Sequence, residues 1–190
     1  MITSVSNSLT NRLMKYSHND YKDKQFIFYG VSTIVYTLFS TIGLIVVGWL
    51  FCSALNTVIL ISIFYINQTM GGGYHAQTRL SCFLTMSTAL SISLILLKLR
   101  FSIEILLVMN IFSFGVLFRY PVVLHPKRHF LREKLPLFAR RSRGVTLLAA
   151  IAQALFLLFE CPLISVFSLG FLLSAISRYV AERTHPSEVE

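Results

Sequence analysis

The chain consists of long apolar segments without charged residues, separated by short polar stretches. The longest segment, residues 26–70, contains no Asp, Glu, Lys or Arg over 45 positions. A helix needs about 20 apolar residues to cross the hydrocarbon core of a bilayer, so this segment predicts two membrane spans. We expect the turn between them at residues 49–56, because Trp49 favours the membrane interface and polar residues interrupt the apolar run there.

Four more apolar segments follow along the chain. Residues 80–97 and 101–118 each predict one span. Residues 145–159 and 163–177 are shorter and meet at a polar, Pro-containing hinge. We interpret this last pair as a hairpin of short spans, and a re-entrant pair is the alternative. The pattern predicts an all-α integral membrane protein with six transmembrane helices.

The first 25 residues are polar and mixed in charge, so they do not look like a cleavable signal peptide. The first apolar run is therefore expected to remain as an anchor. Leu9, Leu13 and Tyr16 fall near one stripe of a helix, with Arg12 and Lys15 beside them. This spacing predicts a short interfacial helix, and a frayed polar terminus is the alternative.

The composition narrows the class of protein further. Apolar residues make up 55% of the chain and charged residues 13%, and the mean hydropathy is +0.68. A water-soluble domain of 190 residues could not bury that much apolar surface. The same figures exclude a disordered chain, and three cysteines spread over this length exclude a disulfide scaffold.

The positive charges predict the orientation in the membrane. With six spans, 15 of the 17 Lys and Arg residues lie on one face, and only Lys98 and Arg100 lie on the other. Because positive residues favour the cytoplasmic side, we expect both termini there. The surplus charge of +9 is assigned to orientation and anionic lipid rather than to nucleic acid. The predicted single membrane domain, 1–190, divides into a cytoplasmic or interfacial N-terminus (1–25), six spans (26–177) containing a basic cytoplasmic loop (119–144), and a cytoplasmic tail (178–190).

The polar stretch between spans two and three carries the most informative residues. Gly71, Gly72 and Gly73 are consecutive and predict a sharp backbone turn, although they could also offer N–H groups to an oxyanion. His75 and Cys82 follow directly. A thiolate is a strong nucleophile, and a neighbouring imidazole can remove the thiol proton and later return it to a leaving amine. A packing histidine and a core cysteine are the alternatives.

The spacing of this pair sets a structural condition. In one continuous helix, the backbones of residues seven positions apart are separated by about 10.5 Å, which is too far for a shared hydrogen bond. A catalytic pair therefore requires His75 in the loop and Cys82 near the start of span three, where the helix dipole favours a thiolate.

The other candidate groups are given non-catalytic interpretations. Two nearby ligands are too few for a zinc site, so we expect no metal, and no cofactor is predicted. Cys52 and Cys161 would lie on the opposite face from Cys82, as packing residues. His125 and His129 are expected to be exposed in the basic loop, and Glu104 lies just inside span four.

The segment from Gly72 to Thr78, with sequence GGYHAQT, and Cys82 seven residues after the histidine resemble the signature of the accessory gene regulator B (AgrB) family. The resemblance extends to the polar N-terminus, the length, the six spans and the basic loop after span four. One departure is Gln68, where a basic residue is expected in some members.

The resemblance implies a bacterial membrane cysteine peptidase that processes an AgrD-type precursor of a quorum-sensing peptide. Cys82 would be the nucleophile and His75 the general base and acid. The acyl group would pass to Cys82 as a thioester, and a Cys or Ser of the peptide would then close a thiolactone or lactone ring. The resemblance also implies a homodimer. The competing functions are a small transporter or exporter and a non-catalytic membrane scaffold.

The basic loop has two possible roles. Its charges can fix orientation and bind anionic lipid. Alternatively, Arg140, Arg141 and Arg143 could hold an acidic tail of the precursor, because a cluster of exposed charges attracts more strongly than a single pair. We expect this loop, His75 and Cys82 to face the cytosol.

Overall fold

The structure is a computed structural model and describes residues 2–14, 21–51, 54–74, 78–123, 135–159 and 161–184. In these ranges it contains helices and no strand, which confirms the all-α prediction. The helices are α1 (Ile2–Met14), α2 (Tyr21–Phe51), α3 (Ala54–Gly71), α4 (Arg79–Leu96), α5 (Ile103–Arg119), α6 (Leu135–Leu158) and α7 (Ile164–Thr184).

Four helical segments have both the length and the hydropathy of a membrane span. They are Gly30–Leu50, Ala54–Gly71, Leu135–Leu158 and Ile164–Thr184. A shorter apolar helix covers Leu80–Leu96, and α5 has 17 residues. The helices coincide with the six predicted apolar runs, whereas the count of six spans and the side of the termini stay predictions.

The last two helices are longer than the sequence predicts. The expected short segments, 145–159 and 163–177, correspond to helices of 24 and 21 residues. The helix α6 begins at Leu135 and therefore includes Arg140, Arg141 and Arg143, which the sequence analysis assigned to a loop. The predicted spans were ended at the first charged residues on either side. A long basic side chain is nevertheless compatible with a helix when its charged end reaches water or hydrogen-bond partners.

The chain forms two compact units, Met1–Val47 and Gly48–Glu190. In the first unit, α1 shows that residues 2–14 are helical. Leu9 and Leu13 are 41% and 50% exposed, so the apolar stripe predicted from the sequence faces outward on this helix. The interfacial location of α1 stays a prediction, and Tyr16 and Lys15 lie outside the described residues.

In the second unit, α7 packs along α3 and α5 and is the central helix. Its core contacts include Phe171 and Ala175 with Ile63 of α3 and Leu117 of α5. Gly170 approaches α3 so closely that a Cβ there would lie 3.0 Å from Ile63. Small residues allow helix backbones to come close together, which is the usual basis of helix packing in membranes.

A buried polar cluster, called here the Gln153 cluster, joins three helices near the start of α7. The Nε2 of Gln153 in α6 donates to Ser168 Oγ in α7 at 2.8 Å and to Asn110 Oδ1 in α5 at 3.2 Å. All three side chains are buried. Since a polar group in an apolar interior is costly unless it is paired, this cluster fixes the relative placement of the three helices.

Candidate functional site

The glycine segment directly follows α3 and has a conformation that requires glycine. Gly72 has a φ of +72° and donates its N–H to Gln68 O at 2.9 Å. Val123 N donates to Gly71 O at 2.8 Å, and a Cβ on Gly72 would collide with Val123 O. A residue with a side chain is disfavoured in this left-handed region and would also lack space. The three glycines therefore make the predicted sharp turn, and this turn is hydrogen-bonded to the segment that follows α5.

Ser177 of α7 holds the end of this segment. Tyr74 N donates to both Ser177 O and Ser177 Oγ, each at 3.1 Å. The same hydroxyl accepts a hydrogen bond from Gln68 Nε2 at 2.8 Å. A Cβ on Gly73 would collide with the side chain of Gln68, so the missing side chain leaves the space that Gln68 occupies. The segment from Gly72 to Tyr74 is thus fixed at both ends before His75.

Arg178 lies directly beneath the glycine segment and is only 1% exposed. A Cβ on Gly71 would collide with its guanidinium group. Nη2 donates to Asn67 O at 2.9 Å. Nη1 is within hydrogen-bonding distance of four oxygens between 3.1 and 3.4 Å, namely Leu117 O, Tyr120 O, Pro121 O and Ser142 Oγ. From the sequence, span six was expected to end at Ser177, with Arg178 in the cytoplasmic tail, whereas α7 continues to Thr184 and buries the Arg178 side chain.

The partners of Arg178 explain how a buried cation is tolerated here. Leu117 lies in the last turn of α5, Tyr120 and Pro121 follow α5 directly, and Asn67 lies one turn before the end of α3. The last carbonyls of a helix lack partners within the helix and carry partial negative charge. Arg178 therefore serves two helix ends at once, and these carbonyls take the place of a carboxylate.

Cys82 lies in the first turn of α4, and α4 begins at Arg79, after His75. Thr78 is the N-cap, and its side chain accepts a hydrogen bond from Ser81 N at 3.1 Å. Cys82 is partly exposed. The first turn of a helix is the region where its dipole stabilises an anion, so the sequence expectation for the location of Cys82 agrees with the structure.

His75 lies outside the described residues, as do Cys52, His125 and His129. The described neighbours of His75 are Tyr74, which is bonded to α7, and Thr78, which caps α4. The structure therefore describes both ends of the short connection that carries His75, and the catalytic pairing of His75 with Cys82 stays a prediction.

The backbone N–H groups around the site are largely engaged within the protein. Gly72 N and Tyr74 N donate as described above, and Cys82 N donates to Thr78 O at 3.0 Å. These three groups are not available to an oxyanion in this arrangement. Turn formation is therefore the better supported role of the glycines.

The basic residues at the start of α6 lie near the same end of the second unit as the glycine segment. Arg140, Arg141 and Arg143 are exposed, whereas Ser142 between them is buried and accepts from Arg178 Nη1 at 3.3 Å. The guanidinium carbon of Arg143 is 5.7 Å from the ring centre of Phe118, close to the end of α5. Arg178 thus contacts both the glycine segment and the basic first turns of α6.

The remaining candidates lie apart from this arrangement. Cys161 is partly exposed in the connection between α6 and α7, and its N–H donates to Phe156 O at 2.9 Å. Glu104 is exposed in the first turn of α5. Within the described ranges, no group of three or more His, Cys, Asp or Glu residues could hold a metal ion.

Sequence reasoning missed the two α7 residues that organise the site. An arginine at the end of an apolar run is a signal for Arg178, because buried cations in membrane helices are rare and usually functional. Nothing in the sequence distinguishes Ser177 from the other serines of this helix, since its role depends on residues more than 100 positions away.

Comparison with known proteins identifies one family. The family model described as accessory gene regulator B matches residues 6–178, which is nearly the whole chain. No curated protein and no solved structure gives a significant match.

Proposed function

The chain belongs to the accessory gene regulator B family, and from this premise we propose that it is a membrane cysteine endopeptidase with Cys82 as its nucleophile and His75 as its general base and acid. Membership of the family implies a role in the agr quorum-sensing system and association with an AgrD-type precursor peptide. The proposed substrate is that precursor, cut on the C-terminal side of its future ring.

The placement of Cys82 is the observation that carries the proposal. The thiol is partly exposed in the capped first turn of α4, where the helix dipole stabilises a thiolate. The preceding glycine segment is bonded to α7 at Tyr74, the residue immediately before His75.

In the proposed reaction, His75 removes the Cys82 Sγ proton and the thiolate attacks the scissile carbonyl of the precursor. The peptide C–N bond breaks, the leaving amine takes the proton from His75, and the acyl group remains on Sγ as a thioester. An internal Cys or Ser of the peptide then attacks the thioester, which releases Cys82 and closes a thiolactone or lactone. Restricting access of water protects the thioester from hydrolysis.

The proposed topology has six spans, with both termini, Cys82 and the basic start of α6 on the cytoplasmic side of a bacterial cell membrane. The positive-inside distribution supports this orientation. A precursor made in the cytosol would then reach Cys82 without crossing the membrane.

Substitution of the nucleophile tests the peptidase. Cys82→Ala should abolish cleavage of a co-expressed AgrD-type precursor, measured by immunoblot of the tagged peptide, while the protein still inserts into the membrane. Cys161→Ala is the matched control and should cleave at nearly the normal rate, and His75→Ala should resemble Cys82→Ala. Complete processing by Cys82→Ala would exclude this chemistry and favour a transporter or a scaffold.

The exposed arginines of α6 are proposed to hold an acidic tail of the precursor near Cys82. Their support is position, because Ser142 among them is linked through Arg178 to the glycine segment. Each exposed charge contributes little, at about 0.2–1 kcal/mol, but three act together.

Replacing Arg140, Arg141 and Arg143 with Glu should raise the precursor concentration needed for half-maximal cleavage, about tenfold at low salt and less at high salt. Replacing Lys98 and Arg100 with Glu is the control and should leave that concentration unchanged. A triple variant that inserts correctly and cleaves normally at low salt would assign these arginines to orientation and lipid binding alone.

A further inference from the structure

One serine of α7 binds the backbone directly before the proposed catalytic histidine. The N–H of Tyr74 points at two acceptors of Ser177, the carbonyl and the hydroxyl, each at 3.1 Å. Consecutive Cα atoms are about 3.8 Å apart across a trans peptide bond. The position of Tyr74 therefore limits where the Cα of the next residue, His75, can lie.

A second side chain orients the serine hydroxyl. Gln68 Nε2 donates to Ser177 Oγ at 2.8 Å, so this oxygen accepts hydrogen bonds from Gln68 and from Tyr74 together. The Gln68 amide also lies against Gly73, where a Cβ would force this amide to move. Gln68, Gly73, Tyr74 and Ser177 thus form one connected contact, in which the two side chains support the backbone that leads to His75.

We propose, on the basis of the peptidase function above, that Ser177 is a positioning residue for His75, with Gln68 holding the Ser177 hydroxyl in place. Neither residue takes part in the chemistry. Together they fix the chain at Tyr74, and we expect loss of this contact to make proton transfer between His75 and Cys82 less efficient. Misplacement of a catalytic group by about 1 Å is enough to lower a rate substantially, whereas binding of the precursor does not depend on this contact.

The structure offers a matched control one turn earlier on the same helix. Ser174 is buried, whereas Ser177 is partly buried, and the Ser174 hydroxyl donates to the α7 carbonyl of Gly170 at 2.8 Å. Ser174→Ala removes a hydroxyl from the same helix without touching the contact at Tyr74. Ser177→Thr retains the hydroxyl and is the conservative variant.

The experiment measures kcat and KM for a purified precursor with the full-length protein in lipid nanodiscs. Ser177→Ala should lower kcat about tenfold with KM unchanged, and Ser177→Thr should restore most of the rate. Ser174→Ala should retain the normal kcat. Gln68→Met should lower kcat by a similar factor, and the double variant should lose less than the product of the two factors, because both changes disturb the same hydroxyl.

A second readout separates positioning from general loss of structure. In a background with Cys52 and Cys161 replaced by Ser, the rate of Cys82 alkylation by iodoacetamide at neutral pH should fall in Ser177→Ala and not in Ser174→Ala. Equal kcat values and equal alkylation rates in these two variants would overturn the positioning role. A fall in kcat matched by a fall in the folded fraction, with no change in the alkylation rate of folded protein, would also overturn it.

The outcomes distinguish this inference from the proposed function. If Cys82→Ala is inactive but Ser177→Ala behaves like Ser174→Ala, the peptidase stands and the positioning role fails. If Cys82→Ala processes the precursor normally, the peptidase itself fails, whatever the result at Ser177.

Discussion

Two levels of α7 carry buried polar groups, and they stabilise the protein in different ways. Near the start of α7, Ser168 belongs to the Gln153 cluster, whose other members, Gln153 and Asn110, lie on helices of regular backbone. Further along, Ser177 and Arg178 bind mostly backbone groups, near or just beyond the ends of α3 and α5. The first level joins helices that already satisfy their own hydrogen bonds. The second provides the partners that irregular backbone would otherwise lack.

This difference separates a packing role from a functional one. Loss of the Gln153 cluster leaves the backbone hydrogen bonds of the helices intact, whereas loss of the Ser177 and Arg178 side chains removes hydrogen bonds to irregular backbone. Irregular backbone inside a membrane protein is tolerated where other protein groups satisfy it. The glycine segment meets this condition in part through α7, and the proposed catalytic residues follow this segment in the sequence.

The largest expected effect is at Arg178. Arg178→Met should lower the free energy of unfolding by about 3 kcal/mol, because several carbonyls at the ends of α3 and α5 lose a charged donor. Thermal unfolding in detergent, followed by size-exclusion chromatography, measures the change. The control is Arg183→Met, at an exposed position of the same helix, where about 0.5 kcal/mol or less is expected. Equal losses of unfolding free energy at the two positions would contradict the role of Arg178 in binding the carbonyls at the ends of α3 and α5.

A smaller but still clear effect is expected at the glycine turn. Gly72→Ala should cost about 1–3 kcal/mol, because alanine is strained at a positive φ and its Cβ meets Val123 O. Cleavage of the precursor should fall at the same time. Gly115→Ala is the control, since a Cβ there finds no other atom within 4 Å. If Gly72→Ala is as stable and active as Gly115→Ala, the turn does not require glycine.

The smallest effect is expected in the Gln153 cluster. Gln153→Leu removes the hydrogen bonds to Asn110 and Ser168 and should cost about 0.6–1.7 kcal/mol, as found for polar contacts between membrane helices. Precursor cleavage by the folded protein should stay normal. A loss of kcat as large as that expected for Ser177→Ala would show that the two levels of α7 are not functionally distinct.

Much of the fold could be predicted from local patterns in the sequence. The uncharged run of residues 26–70 corresponds to the two helices α2 and α3. The helix α2 ends at Phe51 and α3 begins at Ala54, and both residues lie within the predicted turn at residues 49–56. The boundaries of α6 and α7 were less accurate, because the prediction ended each span at its first charged residues. Arg178 shows why this rule fails. Its charged side chain binds backbone carbonyls inside the protein, so the helix continues past it.

The candidate site divides in the same way. Gly71–Gly73, His75 and Cys82 are close in sequence. Their residue types predict a turn and make a base and a nucleophile candidates, and the family resemblance favours those roles. The position of Arg178 at the end of an apolar run is a signal, but its partners, like those of Ser177, cannot be predicted, since Gln68 and Asn67 are 109 and 111 positions away. Charge and apolar length act locally and can be read from the sequence. Which serine reaches a loop N–H, and which arginine serves two helix ends, depends on how α3, α5 and α7 pack, and only the tertiary structure decided it.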